Sequence, residues 1–295
     1  MNKMMSDQQI LGIDIGGSHI TAGFIDLSSG EIIDNKVIRK HVDCHAPANE
    51  ILNGWCSAIK ELWNQAGVQR ARLGFAMPGP FDYENGISLI IGVAKYEALY
   101  KMNIREELAN RLHIPASDIR FRNDAEAFLE GELLFGAAKG FNHAIGITLG
   151  TGLGTAVSHN GVTVHPALGM HPYKGEYIED YVSTRGLIRA YREVSGQDAP
   201  NAKFIADRYD TDELARKAFD SFSNHLIWFL DFFIRREQPE VLIVGGNIAN
   251  SWHLYSDKLE KALASTVKKV PVIKMAALGE PAALIGGAAC FAVNH

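Results

Sequence analysis

Two glycine-rich stretches of the chain share one wording: Gly12-Ile13-Asp14-Ile15-Gly16-Gly17-Ser18 and Gly146-Ile147-Thr148-Leu149-Gly150-Thr151-Gly152. They agree at Gly12/Gly146, Ile13/Ile147 and Gly16/Gly150 and, further on, at Thr21/Thr155 and Ala22/Ala156. Each reads as an apolar strand, a glycine tip and a second strand. A glycine tip has no Cβ to keep an anion from the backbone N–H groups. One such hairpin alone is more often a plain tight turn. Two of them, with an acid at Asp14 and a hydroxyl at Thr151, point to a polyphosphate gripped from both sides. The chain has no Gly-x-x-x-x-Gly-Lys-Ser/Thr, and Gly150-Thr151-Gly152-Leu153-Gly154 runs into a strand with the wrong spacing for a dinucleotide fold. A further pair, Asn123-Asp124, follows a short strand. An aspartate there can act as a general base or simply cap the next helix.

The elements that must present these residues are readable from periodicity. Strand patterns cover Gln9–Ile15, Thr21–Asp26 and Glu31–Arg39, and a helix from Asn49 to near Gly67 carries Ile51, Trp55, Ala58, Ile59, Leu62 and Trp63 on one face. A strand over 71–76 stops at the rigid turn Met77-Pro78-Gly79-Pro80. A helix over 103–112, a strand over 119–121 and a small-residue helix over 125–135 come next. After the second hairpin, 161–175 has no clear period and reads as a binding loop. Helices are expected over 178–193, 203–208 and 211–236, strands over 241–244 and 271–275, and a closing alanine- and glycine-rich helix over 281–292. The order strand, strand, strand, helix, strand, helix thus occurs twice. The expectation is two α/β lobes on mixed sheets, residues 1–122 and 123–280, with 281–295 packing back on the first and a cleft between them.

Composition sets the outer limits. The 295 residues suit two domains, and 47% hydrophobic with 21% charged residues is ordinary for a globular protein. A net charge of −5 with no long basic run offers nothing to nucleic acid or an anionic membrane. The longest apolar run, 226–234, contains Asp231 and is far below the roughly 20 residues of a membrane span. The start Met1–Ser6 lacks a secretory pattern, so a cytoplasmic setting is expected. Cys44, Cys56 and Cys290 lie too far apart for a zinc or disulfide framework and read as reduced.

The six motifs Gly12–Ser18, Met77–Pro80, Asn123-Asp124-Ala125-Glu126-Ala127, Gly150–Gly154, Gly175-Glu176-Tyr177-Ile178-Glu179-Asp180-Tyr181 and Val244-Gly245-Gly246 occur in one order along nearly the whole chain. In that wording and order the chain resembles the ROK family of bacterial sugar kinases, within the two-lobed actin-like ATPase (ribonuclease H-like) fold of duplicated βββαβα lobes. The resemblance implies ATP-dependent phosphorylation of a sugar hydroxyl, usually the 6-hydroxyl of a hexose or hexosamine. It implies Asp124 as the general base, Asn123, Gly79, Glu179 and His171 at the sugar, and Asp14 orienting Mg²⁺ directly or through water. Gly16, Gly17, Ser18, Gly150, Thr151 and Gly152 would surround the phosphates, and Gly245 and Gly246 would admit the adenosine. A homodimer is expected from the family and from the apolar face Phe219–Phe233. Read without the resemblance, Glu179 is a first-turn helix acid and His171 a loop histidine.

Three departures fall on the sugar side. The family's cysteine-rich zinc loop is replaced by His171-Pro172-Tyr173-Lys174-Gly175-Glu176-Tyr177, so no structural zinc is expected. Leu168 stands where the family has a sugar-binding glutamate. Ile90-Ile91-Gly92-Val93-Ala94-Lys95 occupies the place of the family's Asn-Leu. The kinase reading competes with a catalytically weak sugar- and ATP-binding regulator of the same fold, with a DNA-binding regulator, and with a sugar-independent ATPase. The roughly nine residues before the first strand leave no room for a helix-turn-helix, and Asn123-Asp124 argues against the ATPase.

Overall fold

The computed structural model describes residues 9–92 and 95–292. Met1–Ser6, Val93 and Ala94, on which some expectations rest, lie outside them. The chain divides into two compact units. The first takes the described residues before 137 and after 279, and the second is 137–279.

The first unit is built on β1 (Ile10–Ile15), β2 (His19–Asp26), β3 (Glu31–His41), β4 (Arg72–Met77), the two-residue pair β5 (Phe81–Asp82) and β6 (Ile87–Ser88), and β7 (Ile119–Asn123). Its helices are α1 (Ala48–Ala66), α2 (Ile104–Leu112) and α3 (Asp124–Phe135). The five-stranded sheet runs β3-β2-β1-β4-β7; β1, β2 and β3 form an antiparallel meander and β1, β4 and β7 are parallel. Strand β1 alternates little because both its faces are covered. Leu11, Ile13 and Ile15 join Ile51, Trp55, Ile59 and Leu62 of α1 in one core.

In the second unit the strands are β8 (His143–Leu149), β9 (Leu153–His159), β10 (Val162–Val164), the pair β11 (Pro172–Tyr173) and β12 (Glu176–Tyr177), β13 (Val241–Gly245) and β14 (Val272–Met275). Its helices are α4 (Thr184–Ser195), α5 (Ala202–Ala206), α6 (Glu213–Glu237) and α7 (Ser256–Thr266). The sheet order, β10-β9-β8-β13-β14, repeats that of the first unit with the same senses. The duplication suggested by the glycine hairpins is therefore one of whole sheets.

The last helix, α8 (Pro281–Ala288), belongs to the first unit, where it packs on β1, β4 and α3. Backbone meets backbone here: a Cβ on Gly12, Gly74 or Gly131 would overlap the carbonyl of Leu284, Gly287 or Ala282, and one on Gly286 that of Ala127. This packing also explains why the division falls at 136/137 rather than 122/123, since α3 is held to α8 and stays with the first unit.

Several local expectations shift. The stretch 161–175 contains β10, the third strand of the second meander, which three residues were too short to announce. The helix expected over 178–193 is two pieces, a turn at 178–180 and then α4 with Ser183 at its N-cap. Helix α7 has no counterpart among the expected elements. Phe219, Phe222, Phe229 and Phe233 are at most 1% exposed within the second unit's own core. That face has already been consumed and gives a dimer no support. No helix among the described residues is long and apolar enough to cross a membrane.

Candidate active site

In the first unit the candidate residues collect at the carboxyl ends of the three parallel strands, the usual ligand position of such sheets. Asp14 is the next-to-last residue of β1, Met77-Pro78-Gly79 leaves β4, and Asn123 ends β7. Asn123 rather than Asp124 is the N-cap of α3. Its Oδ1 accepts the N–H groups of Ala125 and Glu126 at 3.0 and 3.3 Å. Its Nδ2 donates to the Tyr83 hydroxyl at 3.0 Å, which in turn donates to the Met77 carbonyl at 3.1 Å. Asn123 is 2% exposed, so these bonds make it a support for its neighbours. Capping is thereby taken over from Asp124, whose carboxylate stands in the first turn and accepts only its neighbour Ala125 N–H, at 2.9 Å, among the bonds described. Gly79 lies against the same group: a Cβ there would be 3.1 Å from the Tyr83 hydroxyl and 3.9 Å from the Asn123 amide.

Asp14 is strongly displaced electrostatically. Burial above all, then the negative charges of Asp124 and Glu280, push its carboxyl up to about 7, against the pull of Arg39. Arg39 is itself bonded to Glu280 at 2.7 Å. A desolvated carboxylate with a second carboxylate near it suits a divalent cation, which would offset both the burial and the repulsion, so the residues present fit Mg²⁺. The first glycine tip is closed by the Gly16 N–H on the His19 carbonyl at 2.9 Å and tethered by the Tyr96 hydroxyl on the Gly16 carbonyl at 2.7 Å. Gly17 and Ser18 are exposed, with nothing within 4 Å of where a Gly17 Cβ would stand.

In the second unit the tip at Gly150-Thr151-Gly152 is closed by the Gly150 N–H on the Gly152 carbonyl at 3.0 Å and held by the Thr184 N–H on the Gly150 carbonyl at 2.8 Å. Glu179 is joined to this tip. Its Oε2 accepts the Leu153 N–H at 2.9 Å, and its Oε1 accepts from Arg185 at 2.7 Å. A Cβ on Gly152 would collide with the same carboxylate. Glu179 is therefore a bonded hinge between the glycine tip and α4. Gly245 ends β13 opposite Thr148, and Gly246, at φ 90°, lies so close to Leu149 that a side chain would overlap its backbone. The two glycine turns of this unit thus touch.

On the expected sugar side, the His171 ring stacks on Phe232 with centroids 4.5 Å apart and lies 5.9 Å from Trp228. The β11–β12 hairpin that replaces the cysteine loop is anchored on α6 by Tyr173, whose hydroxyl is 2.8 Å from His225 Nδ1 and whose ring is 4.4 Å from Trp228. Arg189 covers the Tyr181 ring at 4.2 Å and bonds Glu176 at 2.7 Å. Burial, with Lys174 and Arg189 nearby, brings His225 down to about 4, which keeps the ring neutral. Leu168 is buried in the second unit's core. Tyr83, Arg185, Tyr173 and His225 were not singled out by sequence reasoning. Tyr83 and Asn123, and Tyr173 and His225, pair across 40 and 52 positions, whereas Arg185 pairs with Glu179 only six residues back; only the aromatic content of 171–181 hinted at the anchor.

The family model described as "ROK family" matches residues 10–177 and 172–293. The chain belongs to the ROK family. This ROK chain is 26% identical over 311 residues to an N-acetyl-D-glucosamine kinase of Pectobacterium carotovorum, covering 94% of the chain and 97% of that relative. It is 23% identical over 293 residues to a glucokinase of Thermotoga maritima, covering 89% of each. In fold it is similar to a ROK family glucokinase of Streptomyces griseus solved with glucose and AMPPNP, at a TM-score of 0.79, 23% identity and coverage of 96% and 98%.

Proposed function

We propose that this ROK chain transfers the γ-phosphoryl group of ATP to a hydroxyl, the 6-hydroxyl, of a hexose or N-acetylhexosamine. Sugar phosphorylation is supported by curated relatives that are carbohydrate kinases along nearly their whole length. The observation that carries the residue-level reading is the release of Asp124 from capping by Asn123. A carboxylate at the first turn of α3, near but not bonded to Asp14, is available to take a proton.

In this reading Asp124 accepts the proton of the attacking hydroxyl as the new O–P bond forms and the bond to the ADP oxygen breaks. Phosphoryl transfer chiefly requires positioning and charge neutralisation, and a placed base adds about 10²- to 10⁴-fold. Asn123 and Tyr83 hold the Asp124 backbone and the Gly79 turn. Gly17, Ser18, Thr151 and Gly152 offer N–H and hydroxyl groups to the phosphates, Gly16 and Gly150, whose own N–H groups are bonded to the His19 and Gly152 carbonyls, close the two tips around them, and Gly245-Gly246 leaves room for the adenosine. Asp14 would hold Mg²⁺, which when bound neutralises phosphate charge. Glu179 and His171 would meet sugar hydroxyls, with Glu179 already oriented by Leu153 and Arg185. Absence of the family's glutamate at Leu168 favours an acceptor bound differently from plain glucose. A cytoplasmic setting, where ATP is at hand, belongs to the same reading.

The test is coupled ADP release with Mg-ATP over a panel of hexoses and N-acetylhexosamines, native chain against Asp124→Asn. Sugar-dependent turnover that falls about 10²- to 10⁴-fold in the variant is expected. Binding of ATP and sugar with no ADP release on any acceptor would instead favour the regulator.

A further inference from the structure

At the far end of β8 from its glycine tip, three metal-ligating side chains converge that the kinase reading leaves without a task. His143 opens β8 and His159 closes β9, and the antiparallel register sets them directly opposite each other with ring centroids 3.6 Å apart. Glu237, the last residue of α6, brings its Oε2 to 3.6 Å from His159 Nε2. One ligand atom from each of the three lies within 4.8 Å of the others. His143 Nε2 is buried and has no hydrogen-bond partner. Such an orphaned ring nitrogen costs free energy unless something accepts its lone pair or its proton. The Glu237 side chain is only 14% exposed, and its other oxygen forms an ion pair with Arg236 at 2.9 Å.

The scaffold under this cluster is built rather than incidental. The Glu240 carboxylate accepts both the Asn142 and the His143 N–H, at 2.9 and 3.0 Å, while its own N–H donates to the His143 carbonyl at 2.9 Å. Those three bonds fix the start of β8 against the chain leaving α6, and so fix His143 against Glu237. Glu240 is thereby occupied and is not a ligand.

We infer that His143, His159 and Glu237 form a divalent-cation site, zinc being the cation that two imidazoles and one carboxylate suit best, with solvent in the fourth position. Zinc holds such nitrogen and oxygen atoms at about 2.0 to 2.2 Å, so two ligands of one tetrahedral ion lie about 3.4 Å apart. The His159–Glu237 separation already matches that span. Closing the widest separation requires a shift of at most about 1.5 Å on the same geometry. The His159 side chain, 54% exposed, can supply that part of the shift which involves its own ring. The ion would tie β8, β9 and the end of α6 together. At about 3.3 Å per residue, the seven steps from His143 to Gly150 put it about 23 Å from Gly150, too far to act on phosphate. The expectation of no structural zinc rested on the loop at 171–177, and this site revises it at a different place.

The test titrates zinc chloride into the chelator-treated full chain by calorimetry, with thermal melting in parallel. One zinc per chain and a raised melting temperature are expected for the native protein. Binding at least tenfold weaker and loss of the melting shift are expected in both His159→Gln and Glu237→Gln. His159 is exposed, so its variant folds whatever Glu237→Gln does. Failure of the native chain to take up zinc, or uptake undiminished in His159→Gln, overturns the proposal.

Discussion

Asp14 and Asp124 occupy one unit, and the proposed reading gives them opposite duties, cation ligand and base. The raised pKa of Asp14 means that the ligand-free folded chain holds a proton that the unfolded chain has lost. Stability from this group is present below about pH 4 and is lost as pH rises through about 7. Asp14→Asn should therefore be progressively more stable than the native chain from pH 4 to 7, by up to about 4 kcal/mol, in urea unfolding without nucleotide. Mg-ATP should narrow the gap, because only the native carboxylate gains from the cation. A flat difference across that range would show that Asp14 is not desolvated. In the other unit, Gly152→Ala should displace the Glu179 carboxylate. It is expected to raise the KM for sugar more than it lowers kcat, and steady-state kinetics on the acceptor found by the panel would separate the two.

Among the elements, the β11–β12 hairpin stands where relatives are expected to use cysteines, and here an aromatic anchor holds it. The folded His225 titrates below its ordinary range, so its contribution is present above about pH 6.5 and is lost as pH falls through about 4. Acidification over that window is expected to loosen the hairpin, seen as a shift of tryptophan emission that Trp228→Phe abolishes. Persistence of the shift in that variant would place the change elsewhere. Helix α8 is sensitive in another way. Gly286→Ala drives a methyl into the Ala127 carbonyl and should cost about 1 to 3 kcal/mol or more in urea unfolding. What sequence could tell divides along the same line. The glycine tips, Asn123-Asp124 and the α1 face were legible because each is a local pattern of residues close in the chain. Strand β10 was missed because three residues carry no period. The break before α4 was missed although its mark is local: Ser183 is the N-cap, and a Cβ on Gly186 would overlap the Tyr181 carbonyl five residues back. The Asn123–Tyr83 and Tyr173–His225 bonds join residues 40 and 52 positions apart, beyond any spacing rule.

For the molecule as a whole, duplication was visible in two short phrases and extends to two sheets of identical strand order. The duplication is incomplete in its chemistry: the first unit carries the candidate base and cation ligand, the second the candidate sugar acid and the candidate adenosine turn. A homodimer remains a proposal from family resemblance, because the phenylalanine face once counted toward it is internal. Light scattering at micromolar concentration tests it, and a mass of one chain, 32.4 kDa, would discard it.

The place of α8 has a consequence for synthesis. The first unit's sheet is covered by residues 281–288, which a ribosome delivers only after all of 137–279 has emerged. Until then the surface formed by Gly12, Gly74 and the glycine side of α3 has no cover, and the first half of the chain must wait, incompletely folded, for its last helix. A nascent chain stalled before residue 280 should accordingly expose its first half to protease while the second half is already resistant.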